Sequence, residues 1–143
     1  MKGIHPVLSH TTLLLIGLIA MSLIIVSISS LFSKTEKDLV TSEINYIAES
    51  TKNKILEIYN MANQTTEYIN GTFQLNLPET IGDKKYTLIL NQNNLTVLMP
   101  FENENIEVNR TLNIDAQLNG ESYLPASIEI EKTGGIITMN LVG

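Results

Sequence analysis

The residues that most often carry catalysis or bind metal ions are scarce in this chain. It has no cysteine and two histidines, His5 and His10. Metal-binding histidines on one helical face stand three or four residues apart, and a spacing of five does not fit that geometry. No serine in the C-terminal part has a histidine nearby in that part to activate it, and no glycine-rich phosphate loop occurs. We therefore predict no enzyme activity and no catalytic residue.

Two groups of acidic residues offer oxygen ligands for a cation. One is Glu102 with Glu104 and Glu107, and the other is Glu129 with Glu131. A calcium loop of the Asp-x-Asp-x-Asp-Gly type is absent from the sequence. The alternation of Glu129 and Glu131 is more typical of the solvated face of a strand. We predict neither a metal site nor a cofactor.

Asparagine offers a different chemistry, that of a sugar acceptor. Four Asn-x-Ser/Thr sequons follow the apolar part of the chain and none lies within it. Such sequons accept N-linked glycans on extracytoplasmic surfaces, although a short motif also arises by chance in a chain rich in Asn and Thr. The candidate glycosylation sites are Asn63, Asn70, Asn94 and Asn109.

Charge is distributed unevenly along the 143 residues. Residues 1–33 hold one basic residue, Lys2, and no acid, whereas residues 34–143 hold 8 basic and 15 acidic residues. Positive charge before a membrane span predicts a cytoplasmic N-terminus and an extracellular C-terminal part. A single arginine, Arg110, in an acidic body argues against nucleic acid as a partner, because phosphate binding needs clustered basic residues.

The apolar run is the element that indicates whether the chain lies in a membrane. The 23 residues from Thr11 to Ser33 carry no charge. About 20 such residues cross the hydrocarbon core of a bilayer as a helix. We therefore assign residues 4–33 to a hydrophobic transmembrane segment. The apolar run has two other interpretations. A permanent single-pass anchor is the simplest, and a cleaved secretory signal fits less well because an amphipathic helix follows directly.

Helical periodicity continues beyond the apolar run, over residues 34–69. Apolar or small residues recur at spacings of three and four, which place them in one stripe on a helix face. We predict one helix from about Val7 to about Tyr68, ended by Asn70-Gly71. At 1.5 Å per residue, ~60 residues give a helix of roughly 90 Å. The stripe consists of Val40, Ile44, Ile47, Thr51, Ile55, Ile58 and Ala62.

Residues 70–143 change to the period of two that is typical of strands. Strands are predicted at Thr72–Leu77, around a four-residue turn at residues 91–94, and around Thr133-Gly-Gly. Further candidates are Glu104–Val108 and Arg110–Gln117. The predicted fold is α+β: a long N-terminal helix, apolar and then amphipathic, whose second half packs on a small antiparallel β-sheet or β-sandwich. A dimeric coiled coil is the alternative use of the stripe.

The start of the chain, Lys2-Gly3-Ile4-His5-Pro6-Val7, followed at once by the apolar run, resembles the N-terminus of archaeal type IV pilin-like proteins. Residues 77–88, with Leu77-Pro78-Glu79 and Tyr86-Thr87-Leu88, are similar to a strand–turn–strand element of that family. The resemblance implies the tadpole architecture of type IV pilins. It also implies a class III signal peptide, with a leader of residues 1–3 that a prepilin peptidase cuts between Gly3 and Ile4. His5 departs from the serine that is usual there.

The resemblance further implies a role and its partners. The chain would be a major or minor subunit of an archaeal cell-surface filament, held in the membrane before assembly. Its partners would be other pilin subunits, the prepilin peptidase, an assembly ATPase and a platform protein, and the filament could serve cell adhesion. The alternative function is a membrane-anchored extracellular accessory or binding protein that does not polymerise.

Overall fold

The computed structural model describes residues 4–66, 68–102 and 104–143, with side chains described from His10 onward. The chain divides into two compact units, Met1–Asp38 and Leu39–Gly143. The first consists of the N-terminal part of one helix. The second contains the rest of that helix and a β-sheet, so the predicted α+β class is confirmed.

Helix α1 runs over Ile4–Gln64 without interruption. Its predicted C-terminal boundary was wrong, because Asn70 and Gly71 lie inside the first strand rather than ending the helix. The last turn is capped by a lysine instead. The Lys132 ammonium donates to the carbonyl oxygens of Ala62 at 2.8 Å and Thr65 at 2.5 Å. A cation at these terminal carbonyls takes the place of a C-terminal glycine.

Seven strands form one sheet in the described part of the chain, in the order β1-β6-β7-β5-β2-β3-β4. All neighbours are antiparallel except β5 and β7, which run parallel. The sheet is single, so of the two predicted alternatives the sandwich does not form. The bounds are β1 Ile69–Leu75, β2 Thr87–Asn91, β3 Asn94–Phe101, β4 Glu104–Thr111, β5 Gln117–Tyr123, β6 Ala126–Thr133 and β7 Ile136–Val142.

The β6–β7 turn agrees with the prediction, whereas the β2–β3 turn differs from it in length. Gly134 and Gly135 form the β6–β7 turn with φ values of 60° and 87°, the left-handed conformation that glycine tolerates. The predicted four-residue turn of the β2–β3 hairpin is shorter, since Asn91 and Asn94 pair across it. The predicted boundary between the strands Glu104–Val108 and Arg110–Gln117 was also wrong, because β4 continues to Thr111.

Strand β5 has no counterpart among the predicted strands. Its inward positions include Gly120 and Ser122, which hide the apolar alternation that marks a strand. The fold requires the glycine, because a Cβ at Gly120 would lie 2.4 Å from the Leu141 carbonyl oxygen. This close approach occurs where β5 and β7 run side by side at the centre of the sheet.

The core of the second unit lies between the helix and one face of the sheet. The predicted stripe is buried in its entirety, and Ala48 is buried with it. The sheet contributes buried residues from alternate positions of its strands, such as Leu88, Val97, Ile128 and Met139. The stripe therefore packs within its own chain, as predicted. Polar contacts also tie the helix to β4, since Arg110 donates to Asn45 Oδ1 at 2.7 Å and to Glu49 Oε2 at 3.2 Å.

Candidate membrane segment and modification sites

The first unit presents its apolar side chains to the surroundings on every side. The large apolar residues from Leu13 to Phe32 are between 49 and 71% exposed. An 18-residue window of this helix has a mean hydropathy of 2.6, and none of that window is buried in the chain. A soluble surface rarely carries a continuous apolar area of this size. The helix is long and apolar enough to cross a membrane.

Two hydroxyls within this segment bond to the helix backbone, as an apolar environment favours. The hydroxyls of Ser22 and Ser27 donate to the carbonyl oxygens of Leu18 and Leu23, each at 2.8 Å. The backbone is helical throughout, so its amide groups also bond within the segment. The segment can therefore enter lipid without leaving these groups unpaired.

Of the two residues at the predicted cleavage site, only Ile4 belongs to the described part of the chain. Gly3 and the rest of the leader, residues 1–3, lie outside the described residues. Ile4 is the first residue of α1. The side chain of His5 is likewise outside the described part, and His10 is exposed on the helix.

All four sequon asparagines are exposed. Asn63 lies at the C-terminal end of α1, Asn70 in β1, Asn94 at the start of β3 and Asn109 in β4. Positions 70, 94 and 109 are exposed, whereas the strand positions next to them are buried or partly buried. They therefore belong to the face of the sheet that points away from the helix. Each side chain amide is thus placed where a sugar would extend into solvent.

The sequons of β3 and β4 face each other across the strand pair. Asn94 is opposite Thr111, and Thr96 is opposite Asn109. The Thr96 hydroxyl donates to Asn109 Oδ1, and the Thr111 hydroxyl donates to Asn94 Oδ1 at 3.4 Å. Each asparagine is therefore held by the threonine of the other sequon, which couples the two candidate sites.

The acidic residues of the outer face do not gather into a metal site. Glu129 and Glu131 alternate along β6 and pair with Thr72 and Asn70 of β1. Glu107 accepts a hydrogen bond from the Asn109 amide at 2.8 Å. In the part of the chain that the structure describes, no group of three His, Cys, Asp or Glu residues could hold a metal ion.

A shallow groove of about 380 Å³ lies between α1 and the end of β1. Lys54 and Glu57 form an ion pair of 2.8 Å on its helical side. Thr51 also lines the groove, and its hydroxyl is buried with no hydrogen-bond partner among the described residues.

The family model of DUF7266, a family of unknown function, matches residues 1–142. The chain belongs to the DUF7266 family. The match extends over both the apolar segment and the strands, so DUF7266 combines the two in one family unit. No curated protein and no solved structure matches the chain.

Sequence reasoning missed the polar residues that join the helix to the sheet. Lys132 contacts the last turn of α1 from 70 positions away and the residue just after α1 from 67. Arg110 contacts α1 from 61 and 65 positions away. Neither contact follows from a local motif, because the partners come together only when the sheet packs on the helix. The pairing of the Asn94 and Asn109 sequons was predictable in principle from the β3–β4 register, once both strands were correctly bounded.

Proposed function

We propose that this chain is a structural subunit of a cell-surface filament, of the kind that archaeal type IV pilin-like proteins build. The observation that carries the proposal is the arrangement of α1. One unbroken helix combines a fully exposed apolar segment with a stripe buried against the chain's own sheet. An ordinary anchor needs only the first of these features. A subunit that packs by its helix needs both.

The exposed segment suits two environments in succession. Before assembly, lipid covers the apolar side chains from Leu13 to Phe32. After assembly, sister helices replace lipid, and packing between helices holds the filament core together. The resemblance at residues 2–7 supplies the intermediate step, in which a prepilin peptidase removes residues 1–3. An assembly ATPase and a platform protein would then move the subunit from the membrane into the filament.

The second unit would form the outer surface of such a filament. The positive-inside asymmetry supports an extracellular location for it. Its outer face carries Asn70, Asn94 and Asn109 in exposed positions, where glycans would not disturb the core. Adhesion, by the polar surface or by its sugars, is the role that such an exterior would serve.

A permanently anchored accessory protein is the second candidate, because the apolar segment also meets the needs of a plain membrane anchor. Processing separates the two. In cells that make the chain, the wild type should appear in sheared surface filaments. Gly3→Val should block the cut, keep the chain in the membrane and remove it from the filaments. A chain that stays in the membrane fraction in both cases would instead support the accessory protein.

A further inference from the structure

The two edge strands of the sheet differ in the features that prevent pairing with a strand of another molecule. Strand β4 forms one edge and carries the charged residues Glu104, Glu107 and Arg110. Strand β1 forms the other edge and, over Ile69–Leu75, contains no charged residue and no proline. Its seven residues pair with β6 in a continuous register, so no bulge twists the edge away. Charges, prolines and bulges are the devices that keep a free edge from pairing with another strand.

The apolar residues of β1 are incompletely covered. Ile69 and Phe73 face the helix side of the sheet and are only partly buried against the core. On the other side of β1 no strand follows among the described residues. The Leu75 carbonyl accepts the Leu77 N–H at 2.9 Å, which marks where the free edge ends.

We propose that β1 is a homotypic contact, at which β1 of a second copy of this chain adds antiparallel about a two-fold axis through Thr72. The sequence Ile-Asn-Gly-Thr-Phe-Gln-Leu is complementary to itself in this register. On the inner face, Ile69 lies opposite Leu75 of the second copy and Gly71 opposite its Phe73. The Phe73 ring lies beside Gly71 of its own chain, 3.7 Å from where a Cβ would stand, and across the axis it would also border Gly71 of the other copy. An aromatic ring beside a glycine stabilises a sheet edge. All inner-face pairs are thus apolar residues or glycine.

The outer face is equally compatible. Asn70 lies opposite Gln74, and Thr72 lies opposite Thr72, so every pair is neutral and polar. The nearest acids, Glu129 and Glu131, sit one strand further in on β6. At about 4.8 Å per strand, the acids of the two copies are about 14 Å apart, beyond the ~8 Å Debye length at physiological salt. Repulsion between them is therefore weak.

Of the possible registers between the two copies of β1, the one with its axis at Thr72 is the most favourable. A slip of one residue would turn the inner face of one copy toward the outer face of the other. A slip of two keeps the faces but shortens the overlap. The axis at Thr72 is the register that pairs all seven residues.

The symmetry fixes how the helices of the two copies run. A two-fold axis perpendicular to the sheet leaves the Leu39–Gln64 part of α1 on the same face in both copies, but running in opposite directions. The pairing involves the second unit alone, so it does not rest on the proposed surface location.

The absence of cysteine from the sequence makes the contact directly testable. Thr72→Cys should place two sulfurs across the axis, with Cα atoms about 4.5–5.5 Å apart, a separation that suits a disulfide. Gln74→Cys is the register control, because its two copies would lie about 14 Å apart along the strands. Asn105→Cys on β4 is the control for the other edge. All three positions are exposed, and all variants carry Asn70→Gln so that loss of the Thr72 sequon does not affect the comparison.

The experiment is oxidation of the full-length chain in detergent micelles, followed by non-reducing electrophoresis. We expect Thr72→Cys to form disulfide-linked dimers at least tenfold faster than either control. The controls also report collisions caused by apolar segments that share a micelle. Equal rates for Thr72→Cys and Gln74→Cys, or no dimer of Thr72→Cys, would overturn the proposal. Either result would leave the filament proposal standing, since that one depends on processing at Gly3.

Discussion

Thr51 is the buried residue whose chemistry fits its surroundings least well. It is 1% exposed, and its hydroxyl has no hydrogen-bond partner among the described residues. A buried hydroxyl without a partner costs about 1–3 kcal/mol. In the sequence it reads as one more small member of the apolar stripe, and the stripe does not reveal that its oxygen stays unpaired.

Thr51→Val should therefore raise stability, by about 1 kcal/mol, because it keeps the shape and removes the unpaired oxygen. Thr51→Ser, which keeps the oxygen and loses a methyl group, should lower stability instead. Thermal unfolding of the full-length chain in detergent, followed by circular dichroism, measures both variants. Destabilisation by Thr51→Val would mean that the hydroxyl has a partner, such as a water in the adjoining groove.

Tyr86 makes the stability of the second unit depend on pH. Its hydroxyl donates to the Pro78 carbonyl oxygen at 2.6 Å, and burial raises the pKa of the phenol above its usual value of about 10. Because the pKa is higher in the folded state, the contribution of Tyr86 is complete below about pH 10. It is lost as the pH rises beyond that value.

Tyr86→Phe should cost about 1 kcal/mol at pH 7, through loss of the hydrogen bond. The gap between the unfolding temperatures of wild type and variant should narrow from pH 9 to pH 11, because only the wild type must keep a buried phenol protonated. Tyr123→Phe, at an exposed tyrosine, serves as the control. A gap that stays constant over this range would show that the Tyr86 phenol does not titrate differently in the folded state.

At the scale of elements, helix α1 performs two tasks with one periodic structure. Ile55 is fully buried, whereas Leu23 is 64% exposed, although both are large aliphatic residues of the same helix. Burial removes Ile55 from water on folding of the second unit, and Leu23 gains nothing from that step. Substitution by alanine should thus destabilise the second unit at Ile55 and leave its stability unchanged at Leu23.

Ile55→Ala should destabilise the second unit by about 2–5 kcal/mol, since it leaves a cavity in the core. Leu23→Ala should leave the unfolding of the second unit unchanged within about 0.5 kcal/mol. Unfolding of the full-length variants in detergent, followed by the sheet signal in circular dichroism, compares the two. Equal destabilisation would show that the exposed segment takes part in the folding of the second unit.

The elements also show how far sequence reasoning reaches. The stripe was predictable residue by residue, because a helix face repeats with a fixed period and all seven members are buried. The β6–β7 turn was predictable because consecutive glycines suit its positive φ values. Strand β5 was not, because Gly120 and Ser122 stand where close strand packing, rather than apolar burial, determines the residue. The helix end was missed for a similar reason, since its cap, Lys132, comes from a distant strand.

At the scale of the whole molecule, the sequence provides more evidence for location than for chemistry. The apolar segment, the charge asymmetry and the exposed sequons all agree with a protein of the cell surface. Membership of the DUF7266 family adds no activity, because that family is of unknown function. The proposed role as a filament subunit therefore depends on one covalent event, the cut between Gly3 and Ile4.

Intact-mass and N-terminal analysis of the chain recovered from sheared surface filaments tests that event most directly. We predict that the filaments contain the chain and that its mature form begins at Ile4. Additional mass in hexose-sized steps would show that sugars are attached, with Asn63, Asn70, Asn94 and Asn109 as the candidate positions. A chain that is absent from filaments, or that retains Met1, would contradict the account and leave a permanent membrane anchor in its place.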